Sequence, residues 1–280
     1  MRRKLAAAVA LAVALTGAGC GSDGPTPIEV VRASSAKTLA AESSKVSITI
    51  TTEVDGTPTT MSGEGAFDYT TRRGTLTMDL GSLLAGTTVE VRSIGDVIYT
   101  SVPPVAAGLL GGKKFMRIDL KALAAKNETF ASLRTGTDPS SGLDALRGAK
   151  DVKKVGTEQV RGEATTHYRG TIDLGEAKAE LSGDAAAAIE HLRTTLKVEE
   201  IPFEAWLDDA GRSRRMKMSI DSPGTAATGN KPQSVDMTIE TFDFGTKVDV
   251  VEPPAAEVAD GTALLEGVAA GAGVGAGASG

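Results

Sequence analysis

Thiol and imidazole side chains are almost missing from this chain: one cysteine, Cys20, and two histidines, His167 and His191, in 280 residues. A single cysteine excludes an internal disulfide and a thiolate metal cluster. Neither histidine stands in a close pattern with acidic residues such as H-E-x-x-H, so each reads as structural. There is no G-x-S-x-G elbow and no phosphate-binding loop. Gly271 to Ala276 spells the letters of a dinucleotide fingerprint, but it follows no strand and opens no helix. Asp208-Asp209 lacks the further ligands of a calcium loop. This inventory points away from an enzyme, and no cofactor or metal is expected. Positive charge is also short, with 30 Lys and Arg against 36 Asp and Glu. Nucleic-acid binding, which needs clustered cations, is excluded on that ground, and so is electrostatic docking on anionic headgroups. Aromatics are only 4% of the chain, so the core must be built from Val, Ile, Leu, Met and Ala.

What is present begins at the N-terminus. Arg2, Arg3 and Lys4 precede an apolar run from Leu5 to Leu15, and Thr16 to Gly21 supplies small residues around Cys20. The run is shorter than the roughly 20 residues needed to span a bilayer. It has the pattern of a secretory signal. The stretch resembles a bacterial lipoprotein signal, with Ala18 and Gly19 before the cysteine and Gly17 where such signals usually carry Leu. The resemblance implies cleavage after residue 19 and acylation of Cys20. Loss of Arg2, Arg3 and Lys4 would take the formal charge from −6 to −9. Residues 20–27 would then be the lipidated cysteine and a short tether, followed by one domain over 28–260. The Gly/Ala-rich stretch 261–280 is expected to be disordered.

Along the domain, the spacing predicts a helix over 28–41 with Ile28, Val31 and Leu39 on its apolar side. Strict alternation then predicts a strand, in which Val46, Ile48, Ile50 and Val54 share one side. Asp55-Gly56 is a hairpin signal, and Pro58 is expected to keep the following connection irregular. Further strands are predicted near 61–70, 74–80, 88–94 and 96–102, then 114–120. Residues 103–112 interrupt the alternation as an apolar loop or short helix. A helix is expected over 119–133, with Leu120, Leu123, Phe130 and Leu133 on one side. The second half predicts strands at 153–160 and 164–174 about Arg161-Gly162. A helix follows between Ser182 and Leu196, capped by Ser182 or Asp184. The last strands are 201–207, 212–220 and 234–244. The expected class is α+β: a large antiparallel sheet with a few helices packed on one face.

Several segments resemble the LppX/LprG type of actinobacterial lipoprotein. They are Val155 to Gly162 with Thr166 to Leu174, Ile201 to Arg212 with Arg214 to Met216, and Phe242 to Gly245 with Val248 to Pro253. The resemblance extends to about residues 28–260, and more distantly to the LolA/LolB superfamily. It implies a curved, half-barrel sheet whose concave face is closed by helices around an apolar cavity. It also implies a lipid or lipoglycan ligand carried within the cell envelope, from the extracytoplasmic face of the membrane. A monomer is expected, with a membrane transporter as the class of protein partner. The inward strand positions named as lipid-facing are Ile48, Ile50, Leu76, Met78, Val89, Val91, Met216, Met218, Met237 and Ile239. The same stripes would equally pack a solid core. A surface lipoprotein that senses or modulates a membrane protein, with no lipid cavity, is the competing expectation.

Overall fold

The computed structural model describes residues 24–84, 86–125, 143–224, 229 and 231–265. The expected signal segment with Cys20, Phe130 and Leu133, and the last fifteen residues lie outside them. Twelve strands form one sheet: β1 (Ser43–Val54), β2 (Thr57–Asp68), β3 (Arg73–Asp79), β4 (Thr88–Ile94), β5 (Val97–Ser101) and β6 (Phe115–Asp119) make the first half. The second half is β7 (Ala149–Val160), β8 (Glu163–Asp173), β9 (Glu200–Leu207), β10 (Ser213–Ser222) and β11 (Gln233–Phe242), with a short β12 (Val258–Asp260) last in the chain. Among the described residues the helices include α1 (Pro27–Leu39), α2 (Pro104–Ala107), α3 (Leu120–Ala124), α4 (Leu174–Glu180) and α5 (Gly183–Leu196).

The strand order is β12-β6-β5-β4-β3-β2-β1-β11-β10-β9-β8-β7. The chain meanders outward from β1 to β6, crosses to the far edge at β7, and meanders back until β11 pairs with β1. The class is α+β, as the sequence predicts. One pairing departs from antiparallel: β12 lies parallel to β6. Tight hairpins set the register of the meanders. Asp55-Gly56 and Arg161-Gly162 both take positive φ, 54° and 77° in the first turn and 51° and 84° in the second. Turns of that hand match the natural twist of the flanking strands.

Three local features differ from the sequence expectation. Pro58 is inside β2, opposite Glu53. The β2–β3 pairing reaches only to Ser62, so this stretch of β2 has a single neighbour and a missing N–H is tolerated. β8 stops at Asp173, whose carboxylate accepts from the N–H groups of Gly175 (2.9 Å) and Glu176 (3.0 Å) and so opens α4. The signal was an Asp followed three residues later by Glu176, a helix start rather than a strand end. The chain also remains packed beyond residue 260: the Thr262 hydroxyl accepts from the backbone N–H of Asp119 at 2.9 Å, and Thr262 is buried.

Helix α1 starts with Pro27 in its first turn, and Glu29 accepts from the backbone N–H and the hydroxyl of Thr26. Its buried stripe is Val31, Ser34, Ser35 and Thr38, while Ile28 and Leu39 are only half-buried. Small hydroxyl residues let the helix lie close to the sheet, and each hydroxyl is satisfied. Ser34 donates to the Val31 carbonyl (2.6 Å) and Ser35 to Asp144 (3.0 Å). Thr38 donates to the Ser34 carbonyl (2.7 Å) and accepts from the Ser213 N–H (2.9 Å). Val31 joins a core with Leu146, Ala177 and Ile189 from the helical side and Ile172, Ile201, Phe203, Ala205, Met216 and Met218 from the sheet. Helices α1, α4 and α5 therefore cover the β8–β10 half of one face.

Candidate functional site: one apolar face of the sheet

Pairing register shows which side chains share a face, because directly opposed residues point the same way. One row runs Val89, Met78, Gly63, Ile48, Ile239, Met216, Ala205, Tyr168 across β4, β3, β2, β1, β11, β10, β9 and β8. The next row on the same face holds Val91, Leu76, Gly65, Val46 and Thr241. The row flanking the first in the opposite direction, still on this face, holds Met61, Ile50, Met237, Met218 and Phe203. The structure therefore brings all ten predicted lipid-facing residues onto a single face. It does not give them one environment. Met216 is 2% exposed and Met218 6%, both inside the helix-covered core. Met237 and Ile239 pack against that core from its margin. Val89 is buried, whereas Ile48, Ile50, Leu76, Met78 and Val91 are half-buried.

Glycines shape the β1–β4 half. A side chain at Gly63 would collide with Met78, and one at Gly74 would collide with the Phe67 ring, so larger neighbours lie over both positions. At Gly65 a Cβ would stand 2.8 Å from the Leu76 Cα, a distance no ordinary contact reaches. The strands approach so closely there that only glycine fits. Met61, Gly63 and Gly65 were not singled out as functional from the sequence, and only the register reveals that they belong to this face.

Openings adjoin both faces of the sheet. A cavity of about 10 Å³ is lined by Val46, Tyr69, Leu143, Ser213, Met216, Ile239 and Thr241. That is room for about one water molecule, not an acyl chain. A second depression of about 520 Å³ opens to solvent among Ser47, Ser62, Glu64, Thr77, Asp79 and Thr88, on the opposite, polar face. Hydroxyls and carboxylates are the wrong lining for a hydrocarbon.

That polar face carries a cluster the sequence analysis left as separate residues. His167, 4% exposed, lies parallel to the Trp206 indole with ring centres 4.1 Å apart. Its Nδ1 faces Glu158 Oε1 at 3.0 Å and its Nε2 faces Glu204 Oε2 at 2.6 Å. The Trp206 indole N–H donates to Glu158 Oε2 at 3.0 Å, and Arg215 lies over the indole ring. Both imidazole nitrogens are engaged by carboxylates, and the arrangement staples β7, β8 and β9 together. Farther along, Glu240 takes Arg161 at 2.7 Å and Arg215 at 2.6 Å. Burial pushes the Glu240 carboxyl up, but the two guanidinium groups outweigh it and hold it below the usual range. At the β9–β10 turn, burial likewise opposes Asp208. The Arg212 N–H and the guanidinium groups of Arg212 and Arg214 nevertheless keep its carboxyl low.

A wide twelve-stranded sheet with helices over part of an apolar face defines an α+β fold, and among the described residues no group of His, Cys, Asp or Glu is placed to hold a metal ion. The chain belongs to the LppX_LprAFG lipoprotein family, matching it over residues 26–250. It is 29% identical over 209 residues to an uncharacterized 31.2 kDa protein of Streptomyces griseus, covering 72% of this chain and 66% of that one. A candidate lipoprotein of Streptomyces coelicolor is 29% identical over 199 residues, covering 70% of this chain and 59% of that protein. The matched stretch thus spans less than two thirds of either relative. Among solved structures, lipoprotein LppX of Mycobacterium tuberculosis aligns over 79% of this chain and 98% of its own, with a TM-score of 0.47 and 17% identity.

Proposed function

We propose that this protein is a lipoprotein held on the extracytoplasmic face of the cell membrane by an acylated Cys20, which binds a lipid or lipoglycan against the apolar sheet face and carries it within the envelope. Residues 1–19 are its signal peptide and residues 20–27 its anchor and tether. The observation that carries the reading is the unequal cover of one continuous apolar face. Its β8–β10 half is closed by helices, while Ile48, Ile50, Leu76, Met78 and Val91 remain half-buried on the β1–β4 half. Membership of a lipoprotein family supports the anchor. Binding would be driven by removing acyl chains from water, at about 0.8 kcal/mol per CH₂ buried, with no bond made or broken. The small cavity beside Met216 means that the β8–β10 core must stay closed while the ligand lies over the other half, or the helices must lift. The protein acts as a monomer and without a cofactor, and a membrane transporter is the partner class that such transfer requires.

Native mass spectrometry of the protein purified from its own host is the direct test. Copurified lipid at fixed stoichiometry is expected. A bare polypeptide mass, unchanged after incubation with extracted envelope lipids, would sink the carrier reading. It would favour the alternative of a surface lipoprotein that modulates a membrane partner, which the 10 Å³ cavity and the tight core around Met216 already favour. Separately, Cys20→Ser should leave an unprocessed, non-acylated chain. Release from membranes is checked by fractionation, with size confirming whether the signal segment remains.

A further inference from the structure

One end of the sheet carries two neighbouring connections that are free of charge over long stretches. At the other end lie the connections 69–72, 95–96, 161–162, 208–212 and 243–246. Each contains a charged residue: Arg72, Asp96, Arg161, Asp208 with Asp209 and Arg212, and Asp243. At the first end lie 55–56 with Asp55, 80–87, 102–114, the charged helical connection 174–199, and the end of β10 with the start of β11. Two neighbours among these have no charge over long stretches: Leu80 to Thr87, and Val102 to Gly112. In the first, a 3-10 turn from Gly81 to Leu84 holds Leu83 66% exposed and Leu84 39% exposed. Adjacent exposed leucines on an uncharged turn differ from a lone surface valine such as Val155, which follows Lys153 and Lys154.

The direction of α1 identifies what this end faces. Arg32 in the first half of α1 donates to the Ala149 carbonyl at 2.9 Å, at the start of β7. Ala149 pairs with Ile172, one residue before β8 ends. Thr38 near the helix C-terminus meets Ser213 at the start of β10, at the charged end. Hence the chain enters α1 from the leucine-bearing end of the sheet. Only six residues, 21–26, lie between Cys20 and Pro27, a span of at most roughly 25 Å when extended. Given the acylated Cys20 of the proposed function, on which this inference rests, that end is tethered close to the bilayer.

We infer that the 80–87 turn is a membrane-docking tip: Leu83 and Leu84 enter the headgroup–acyl boundary of the bilayer that holds the anchor, fixing the sheet end-on to the membrane. The attraction is apolar rather than electrostatic. The chain is acidic, and Lys113 and Lys114, which close the second uncharged connection, are engaged by the Ala256 carbonyl (2.7 Å) and Glu257 (2.6 Å). A diacylated cysteine already supplies the two chains that stable attachment takes, so the use of exposed leucines at the anchored end is to orient the sheet on the bilayer.

The test uses the full lipidated protein in phosphatidylcholine vesicles, with an environment-sensitive dye on Leu83→Cys, or on the exposed Ser82→Cys if that variant folds poorly. Arg161→Cys at the charged end is the control, and acylation leaves Cys20 unlabelled. Vesicle flotation reports the anchor, and dye emission reports the tip. Expected is a blue-shifted emission at position 83 or 82, quenched by doxyl lipids and protected from aqueous iodide, with an aqueous signal at 161. Adding Leu84→Ser to the Ser82→Cys reporter should reduce the lipid-quenched fraction roughly tenfold, the scale of one buried leucine. A protein that floats with the vesicles but has an aqueous signal at 82 and 83 overturns the tip and leaves the anchor standing. A protein that does not float overturns both. Emission that shifts with protein concentration in the absence of vesicles assigns the leucines to a second copy of the chain and likewise overturns the proposal.

Discussion

Two methionines on one face, both named from alternation alone, have different surroundings and should respond differently to the same replacement. Met216 is closed in by the helix-covered core, beside a cavity that holds about one water. Met216→Trp should therefore overpack the site and cost about 1–3 kcal/mol, read as a lower urea midpoint. Met237 sits at the core margin and is half-buried. Met237→Trp should leave the midpoint nearly unchanged and reduce copurified lipid, and unaltered loading would remove this position from the ligand surface. Asp208 tests the electrostatics. Its folded carboxyl lies below the ordinary value of about 4, so its contribution is present above that value and is lost as pH falls through the lower folded one. Asp208→Asn should cost about 2 kcal/mol at pH 7, and the gap to the wild type should narrow at pH 3. Parallel losses at both pH values would assign the effect to packing instead.

At the scale of elements, β2 depends on glycine in a way the alternation pattern does not reveal. Gly65→Ala places a Cβ against the backbone of Thr75 and Leu76, and neither can retreat without parting β2 from β3. A loss of about 2 kcal/mol or more is expected in chemical denaturation. Gly156→Ala in β7, where a Cβ meets nothing within 4 Å, should stay within about 0.5 kcal/mol. Equal effects at the two positions would contradict the close approach. Helix α1 carries a related lesson. Its burial through Ser34, Ser35 and Thr38 was hidden because hydrophobic periodicity looks for large apolar residues, whereas close helix–sheet packing selects small ones.

For the whole molecule, the core cluster over β8–β10 and the long pairings of β7 with β8 and β1 with β2 should form the most stable unit. Hydrogen exchange is expected to be slowest in β8–β10 and fastest in the short edge pair β6 and β12. Under the carrier reading, added lipid should slow exchange in β1–β4 more than in β8–β10. Uniform protection, or none, would count against a ligand lying on the half-buried part of the face.

Strand parity, the Asp-Gly and Arg-Gly hairpins and the position of α5 were legible in the sequence because each follows from a few adjacent residues. The period of two placed Ile48, Ile50, Leu76, Met78 and Met216 on one side of their strands before any pairing was known. Local signals cannot decide which strands become neighbours. The return of β11 to β1, the parallel β12 on β6 and the assembly of His167, Trp206, Glu158 and Glu204 all depend on contacts between distant residues. Nor can alternation tell a side chain covered by a helix from one left half-open, because the two need identical residues. Only the tertiary structure divides the apolar face into a closed half and a half-buried one, since burial is a property of what lies opposite a side chain and not of the side chain itself.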